Sequence, residues 1–263
     1  MCIRDRSDIV TFTETIFTAK GKEGVLPGPD SDGYHTVVLG GLNCYNSAGE
    51  YYTAERVIDI FRDSSVFMRR VKNGALYAEV GHPRRQPGMS MSDFYARIID
   101  ILDTNICAHI SEVSLDLKFG MKNPELKCPE MIAIMGKVKP AGAKAEVMKL
   151  SLESRKQNTA FSVRGITNNH ERNGRVEREL TRVVTFDHVV EPGIKAACKA
   201  FVPGLESYIQ TSHAELLDET IFRQTVERMI QSGSVATESS REFYQDLAAS
   251  LKAQTKTAGF KAW

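Results

Sequence analysis

The 263-residue sequence predicts an α+β protein, a mostly antiparallel β-barrel or sheet surrounded by helices and followed by a helical C-terminal tail. Three observations predict it. Short apolar runs of near-alternating pattern recur through the body: HTVVLGGLN, ALYAEV, ICAHISEVSLDLKF, MIAIMGKVKP, TAFSVRGI and ELTRVVTFDHVV. Helical spacing falls between them too irregularly for a doubly wound parallel sheet. After about residue 205 the pattern changes to that of amphipathic helices. The expected organisation is a non-native leader over 1–7 (MCIRDRS reads as translated adapter sequence), a body over 8–205 and a tail over 206–263.

The elements follow in order. Residues 8–50 read as short strands and turns, with KGKEGVLPGPDSDGY as a loop rich in Gly, Pro and Asp and HTVVLGGLN as a short buried strand. In YTAERVIDIFRDS, Thr53 is a candidate N-cap and Val57, Ile58 and Phe61 fall at helical spacing, so a helix over 54–63 is expected. ALYAEV is a strand that runs into a loop at His82. SDFYARIIDILD, from Ser92, is an amphipathic helix. ICAHISEVSLDLKF alternates with one slip, which predicts a bulge. MIAIMGKVKP is a strand, AKAEVMKLSLESRKQ a short helix or turn, TAFSVRGI a strand and NNHERNGRVER a polar loop. ELTRVVTFDHVV is a strand that ends at Glu191, Pro192 and Gly193. The tail holds two amphipathic helices, SHAELLDETIFRQTVERMIQSG with Ser212 as its cap and SSREFYQDLAASLKAQTK.

Composition narrows the function classes. The chain is 42% hydrophobic and 25% charged, ordinary for a globular protein. A net charge of +1 provides no global field toward nucleic acid or membrane. No run approaches the roughly 18 apolar residues of a membrane span. Arg84 and Arg85, and the basic residues from Lys137 to Lys156, are interleaved with acids or prolines and read as solvated faces. Cys2, Cys44, Cys107, Cys128 and Cys198 are odd in number and form no CxxC pair, so neither a disulfide framework nor a zinc ribbon is indicated and a reducing compartment is the default. Cys107 and Cys198 lie on apolar segments and read as small core residues rather than nucleophiles.

Three positions carry candidate chemistry. His82, in LYAEVGHPRR, stands where a strand meets a loop, with Pro83 restricting its backbone; taken by itself it is more often a turn residue than a proton shuttle. Ser162 shares a strand face with Ala160 and Arg164 and would need a base within hydrogen-bond reach to act as a nucleophile. AFSVRG is not a G-x-S-x-G elbow, so an α/β-hydrolase is not supported. Asp187 shares a face with Thr185 and Val189 in a largely apolar strand, where a carboxylate needs a partner such as an imidazole or else solvent at a sheet edge. Of the other histidines, His109 reads as a satisfied core residue, His170 as a loop residue, and His188 points to the face opposite Asp187. None pairs at metal-ligand spacing, so no metal is expected.

The order NSAGEYYTAERVIDIF, GALYAEVGHP, AHISEV, AFSVRG, TFDHVVEPG resembles the prohead core proteases of large tailed bacteriophages, serine proteases of capsid maturation related in fold to the herpesvirus assemblins. That family's G-E-x-x-H-P strand is matched by Ala78 to Pro83, its S-H-x-I-like strand by Ala108 to Ser111, its G-V-S-S-R-G-like strand by Ala160 to Gly165 and its F-D-x-V-x-x-P strand by Phe186 to Pro192. The likeness covers roughly residues 40 to 200 and rests on four motifs in order rather than on any one. Ala78 replaces a frequent Gly, Val163 a frequent second Ser and Gly193 a frequent Ser.

The resemblance implies an assemblin-like fold with a protease domain over 8–205, and a Ser-His-Asp endopeptidase in which Ser162 attacks, His82 is the general base and Asp187 orients it. Because assemblins use a second histidine as third member, His109 and His188 remain alternatives to Asp187. Backbone N–H groups near Arg164 and Gly165, or in the loop after Glu191, are the oxyanion candidates, with Arg164 adding charge. The family likeness also implies cleavage after Glu in scaffold and major capsid proteins and in the enzyme's own chain, inside the immature head in the host cytoplasm. An acidic P1 residue would call for a basic pocket, drawn from the Lys and Arg of 164–182 or from Arg84 and Arg85. Self-cleavage is expected after Glu238 and Glu242, in the polar linker between the tail helices, and the tail is either removed by it or docks the enzyme in the scaffold. No cofactor, metal, nucleic acid or membrane is implied; a homo-oligomer is compatible. The alternative is a catalytically silent scaffold or core structural protein on the same fold.

Overall fold

The structure, a computed structural model, describes residues 8–15, 28–46, 49–154, 157, 159–172, 174–189, 214–232 and 241–249. The chain divides into two compact units, one of 1–82 with 101–216 and one of 83–100 with 217–263. The segment 83–100, assigned to the body from sequence, thus groups with the tail.

The first unit is built on two sheets. The larger has the order β10(Ala214–Leu216)-β1(Asp8–Thr15)-β8(Ala160–Arg172)-β9(Arg175–Val189)-β4(Tyr51–Thr53)-β3(Cys44–Tyr45). The smaller has the order β2(His35–Leu42)-β7(Ile132–Pro140)-β6(Ile106–Asp116)-β5(Tyr77–Glu79). Among the described strand pairs only β4 with β9 is parallel. A further parallel bridge, Val80 to His188, runs the end of β5 alongside β9 and joins the two sheets. Helices α1(Val66–Lys72), α3(Phe119–Lys122) and α4(Ala145–Glu153) lie between strands in the chain. This is the α+β, mostly antiparallel architecture the sequence predicts.

Physical causes are visible locally. The slip in β6 is a register shift between Ile110 and Glu112 against β7. The first half of β8 and the second half of β9 are buried on both faces, which is why AFSV and VVTF read as continuous apolar runs. Leu39, Leu76, Ile110, Phe161 and Phe186 share one core with α1 and α4. There Phe67 meets Phe186 edge-on at 6.2 Å between centroids.

Several expectations are corrected. The helix expected over 54–63 is a 3-10 turn at Val57–Phe61; Thr53 ends β4, and Arg56, in the left-handed region at φ 67°, precedes the turn. The α-helix comes after it, at α1, capped by Ser65, whose Oγ accepts the Met68 N–H at 3.0 Å. A short sequence with Arg69, Arg70 and Lys72 hid its apolar face. NNHERNGRVER is not a loop: β8 and β9 continue through it as a hairpin with Arg172 opposite Arg175. The Asn173-Gly174 dipeptide was the available signal, and the polar residues reflect the outward end of the ribbon.

The second unit holds α2(Met91–Ile99), α5(Glu219–Gln231) and α6, a helix over 241–249. Helix α2 starts one residue before the expected Ser92, and Ser90 caps it by accepting the Asp93 N–H at 3.1 Å. Asp218 caps α5 by accepting from Thr220 and Ile221, both at 3.0 Å. The earlier start expected at Ser212 lies outside the described residues, and β10 occupies the intervening 214–216. Within the unit Tyr95 packs edge-on to Phe222 at 5.5 Å, and its hydroxyl accepts the Asp218 N–H at 2.8 Å. The Tyr244 hydroxyl donates to the Ile99 carbonyl at 3.4 Å.

Candidate active site

Two neighbouring strands bring the first pair of side chains together. In the β8–β9 ladder Ser162 stands directly opposite Asp187, so both project from the same face. Two residues along each strand, Arg164 and Thr185 form the next pair on that face. Ser162, Arg164, Thr185 and Asp187 all have zero exposure. A row of polar groups in so apolar a place has to be satisfied internally.

The third strand supplies the histidine. At the end of β5, Val80 and Asn105 exchange hydrogen bonds: the Val80 N–H donates to the Asn105 carbonyl at 3.1 Å, and Asn105 Nδ2 donates to the Val80 carbonyl at 3.0 Å. Gly81 then turns the chain in the left-handed region at φ 70°, its N–H donating to the His188 carbonyl at 2.7 Å. That turn delivers His82 between the other two. His82 Nδ1–H donates to Asp187 Oδ2 at 2.8 Å, and the Ser162 hydroxyl donates to Nε2 at 2.5 Å. With an ionised Asp187 that can only accept, the proton belongs on Nδ1 and the lone pair on Nε2. The imidazole retains 14% exposure, the one edge of the constellation open to solvent.

Asp187 is held by more than His82. Arg164 donates through Nε to Oδ2 at 2.8 Å and through Nη2 to Oδ1 at 2.5 Å. Nη2 also donates to Glu79 Oε2 at 2.8 Å. Glu79, on β5 and fully buried, takes the Leu102 N–H on its other oxygen and offers its own N–H to Asp187 Oδ1 at 3.4 Å. Burial alone would raise the Asp187 pKa, but the Arg164 charge and the His82 hydrogen bond outweigh it and hold the carboxyl below its ordinary value. Burial likewise opposes the Arg164 charge, and Asp187 and Glu79 outweigh it, so the guanidinium is held more firmly protonated than usual.

The structure therefore brings His82, Ser162 and Asp187 together and gives Arg164 and Gly165 other employment. The Arg164 side chain is sealed between two carboxylates, which removes it as a charge for an oxyanion or an acidic substrate. Gly165 is required by packing, since a Cβ there would lie 2.3 Å from the Arg182 carbonyl oxygen, at the register shift that follows Arg164. Both positions sit in a strand flanked by β1 and β9, at the point where the register against β9 shifts. The alternative loop after Glu191 lies outside the described residues.

The competing histidines are elsewhere. His109 bonds the Tyr34 hydroxyl at 2.9 Å and the Gly74 carbonyl at 3.1 Å. His188 faces away from Asp187 and meets Ser151 Oγ at 3.2 Å; burial pushes its pKa down to about 4. His170 pairs with Glu179 at 3.2 Å. Cys107 is fully buried beside the Ala78 carbonyl with its thiol pKa pushed up by burial, the opposite of a nucleophilic cysteine. Glu242 is exposed in the first turn of α6, and Glu238 lies outside the described residues. Arg84 and Arg85 belong to the second unit. Among the described residues no group of three His, Cys, Asp or Glu side chains is arranged to hold a metal, and no helix is long and apolar enough to cross a membrane.

Glu79 is the member of this buried hydrogen-bonded cluster to which sequence reasoning gave no part. It was visible as a charged residue inside the apolar strand ALYAEV, a place where a carboxylate demands a cation, and Arg164 in AFSVRG is the matching anomaly.

Comparison with known proteins agrees with the motif order. Residues 12–249 match the Peptidase S80 family. The capsid maturation protease of Pseudomonas phage phiKZ is 36% identical over 204 residues, 76% of this chain and 72% of that one. The solved structure of the bacteriophage T4 capsid assembly protease superposes with a TM-score of 0.46 at 10% identity, covering 70% of this chain and 98% of that one.

Proposed function

The chain belongs to the Peptidase S80 family, and from that premise we propose that it is a serine endopeptidase of phage capsid maturation, with Ser162 as nucleophile, His82 as general base and acid, and Asp187 as the carboxylate that orients His82. The observation that carries this reading is the unbroken chain of two hydrogen bonds, Ser162 Oγ to His82 Nε2 at 2.5 Å and His82 Nδ1 to Asp187 Oδ2 at 2.8 Å.

The chemistry follows from those contacts. Nε2 takes the Ser162 proton as Oγ attacks the peptide carbonyl carbon, and Asp187 stabilises the imidazolium that forms. The tetrahedral intermediate collapses as Nε2–H gives its proton to the departing amine, and the C–N bond breaks to leave an acyl-serine. A water, deprotonated by the same Nε2, attacks the ester and restores the Ser162 hydroxyl.

The substrates are scaffold and major capsid proteins inside the immature head, cut after Glu, together with the enzyme's own tail at Glu238 and Glu242. The named activity of the phiKZ relative supports the capsid setting. The polar stretch SGSVATESS between the tail helices supports the cut after Glu238.

The test is to express wild type and Ser162→Ala side by side, each with scaffold, and follow intact masses with time. The wild type should shorten itself and the scaffold after Glu residues, while the variant loses activity by on the order of 10⁶-fold and leaves both whole. Intact scaffold and intact enzyme in both samples would favour the silent structural alternative.

A further inference from the structure

An arginine that bonds both oxygens of a carboxylate cancels its charge, and a cancelled carboxylate has little left to stabilise an imidazolium. Arg164 bonds both oxygens of Asp187, so a site of these two groups with His82 would be poorly built for catalysis. The same Nη2 that reaches Asp187, however, also reaches Glu79 at 2.8 Å. One positive charge therefore faces two negative ones, and the buried trio keeps a net negative charge. When His82 takes the Ser162 proton, the four groups together become neutral, in a place where an uncompensated charge is costly.

Glu79 is well fixed for such a part. It lies on β5 three residues before His82, and its Oε1 is anchored by the Leu102 N–H. Its backbone N–H touches Asp187 Oδ1. The groups of the neighbouring elements include the Ser162 hydroxyl of β8, the Cys107 thiol of β6, His188 on the reverse face of β9, and Arg70 of α1, whose Nη1 donates to the Val184 carbonyl of β9.

We propose that Glu79 is a positioning residue of the reaction: its carboxylate shares Arg164 with Asp187 and so leaves Asp187 the negative charge that stabilises the His82 imidazolium. This deepens, and rests on, the serine-peptidase reading above.

The experiment compares wild type, Glu79→Gln and Glu79→Gln/Arg164→Met. One readout is the acid limb of kcat/KM against pH on a Glu-containing peptide, which reports the free-enzyme imidazole. The other is an NMR titration of His82 in a Ser162→Ala background, which needs no turnover. In Glu79→Gln the trio becomes a neutral pair, and both readouts should move down by about one pH unit, a tenfold loss of proton affinity. Removing Arg164 as well restores the negative charge, and both should return most of the way to wild type although two buried groups are now altered.

A limb that stays in place in Glu79→Gln, even with a lower kcat, would reduce Glu79 to a purely structural part and overturn the inference. A double variant displaced as far as the single one would overturn it too. Should Glu79→Gln fail to fold, the double variant decides alone: a wild-type limb supports charge sharing and a displaced one refutes it. If the wild type cleaves no peptide, the peptidase reading falls by itself, and the His82 titration still decides whether the charge is shared.

Discussion

Asp187 is fully buried, yet its carboxyl is held below its ordinary pKa because burial is outweighed first by Arg164 and then by His82. Replacing it by Asn keeps the shape but offers His82 Nδ1 either a donor or a weaker acceptor, so the tautomer is no longer enforced. Asp187→Asn should lower kcat by about 10⁴-fold with little change in KM, measured on a peptide substrate. Gly81 tests placement rather than chemistry. A Cβ at Gly81 meets nothing within 4 Å, but φ is 70°; Gly81→Ala should therefore cost about 1 kcal/mol of backbone strain and lower kcat through a displaced His82 while the fold persists. His188 acts on stability. Its pKa is pushed down by burial from 6.5 to about 4, so the folded state holds the neutral form. Its contribution is whole above pH 6.5 and is lost as pH falls to about 4, on the order of 3 kcal/mol. Urea titrations of Ser162→Ala at pH 7 and pH 4 should show this loss, and His188→Gln in the same background should remove most of it. At this scale His82, Ser162 and Asp187 were each legible as residues of the right type, but no residue states what it touches. Glu79 went unassigned because a charge in a strand shows its need for a partner without showing which partner answers it.

Among elements, the β8–β9 hairpin does most to build the site, since its register sets Ser162 against Asp187. The shift after Arg164 belongs to that register, and Gly165 permits it by letting the Arg182 carbonyl approach. Gly165→Ala should destabilise the protein by about 1–3 kcal/mol and reduce activity in step, read from denaturant midpoints and kcat on the same samples. Here the sequence was readable where period and burial agree, as in β6 with its bulge and in β7. It misled where they conflict. The outer ends of β8 and β9 are almost wholly polar, so their hydrogen bonds are strand-like and their composition loop-like. The stretch 54–72 misled differently: helical spacing around Val57 belongs to a 3-10 turn, and the α-helix starts only where Ser65 can cap it.

On the scale of the whole molecule, the proposed triad joins residues 80 and 105 positions apart in the chain, His82 with Ser162 and His82 with Asp187. Its parts come from both sheets, so activity should vanish in the same denaturant transition as the near-UV signal of the first unit, with no active intermediate. In the tail, α6 buries Phe243, Tyr244 and Leu247, and the bond after Glu242 lies within its first turn. Proteolysis needs extended backbone, so a cut after Glu242 has to wait for local opening of that helix. By itself the sequence determined the class of fold and most of the strands, and the order of its motifs pointed to the family. All of these are written in local period, composition and short motifs. Tertiary structure alone decided that Asp187 rather than His109 or His188 meets His82, and that Arg164 bonds both Asp187 and Glu79. Those outcomes depend on strand register and on which sheet edges meet, and both are set by packing between segments about 100 residues apart.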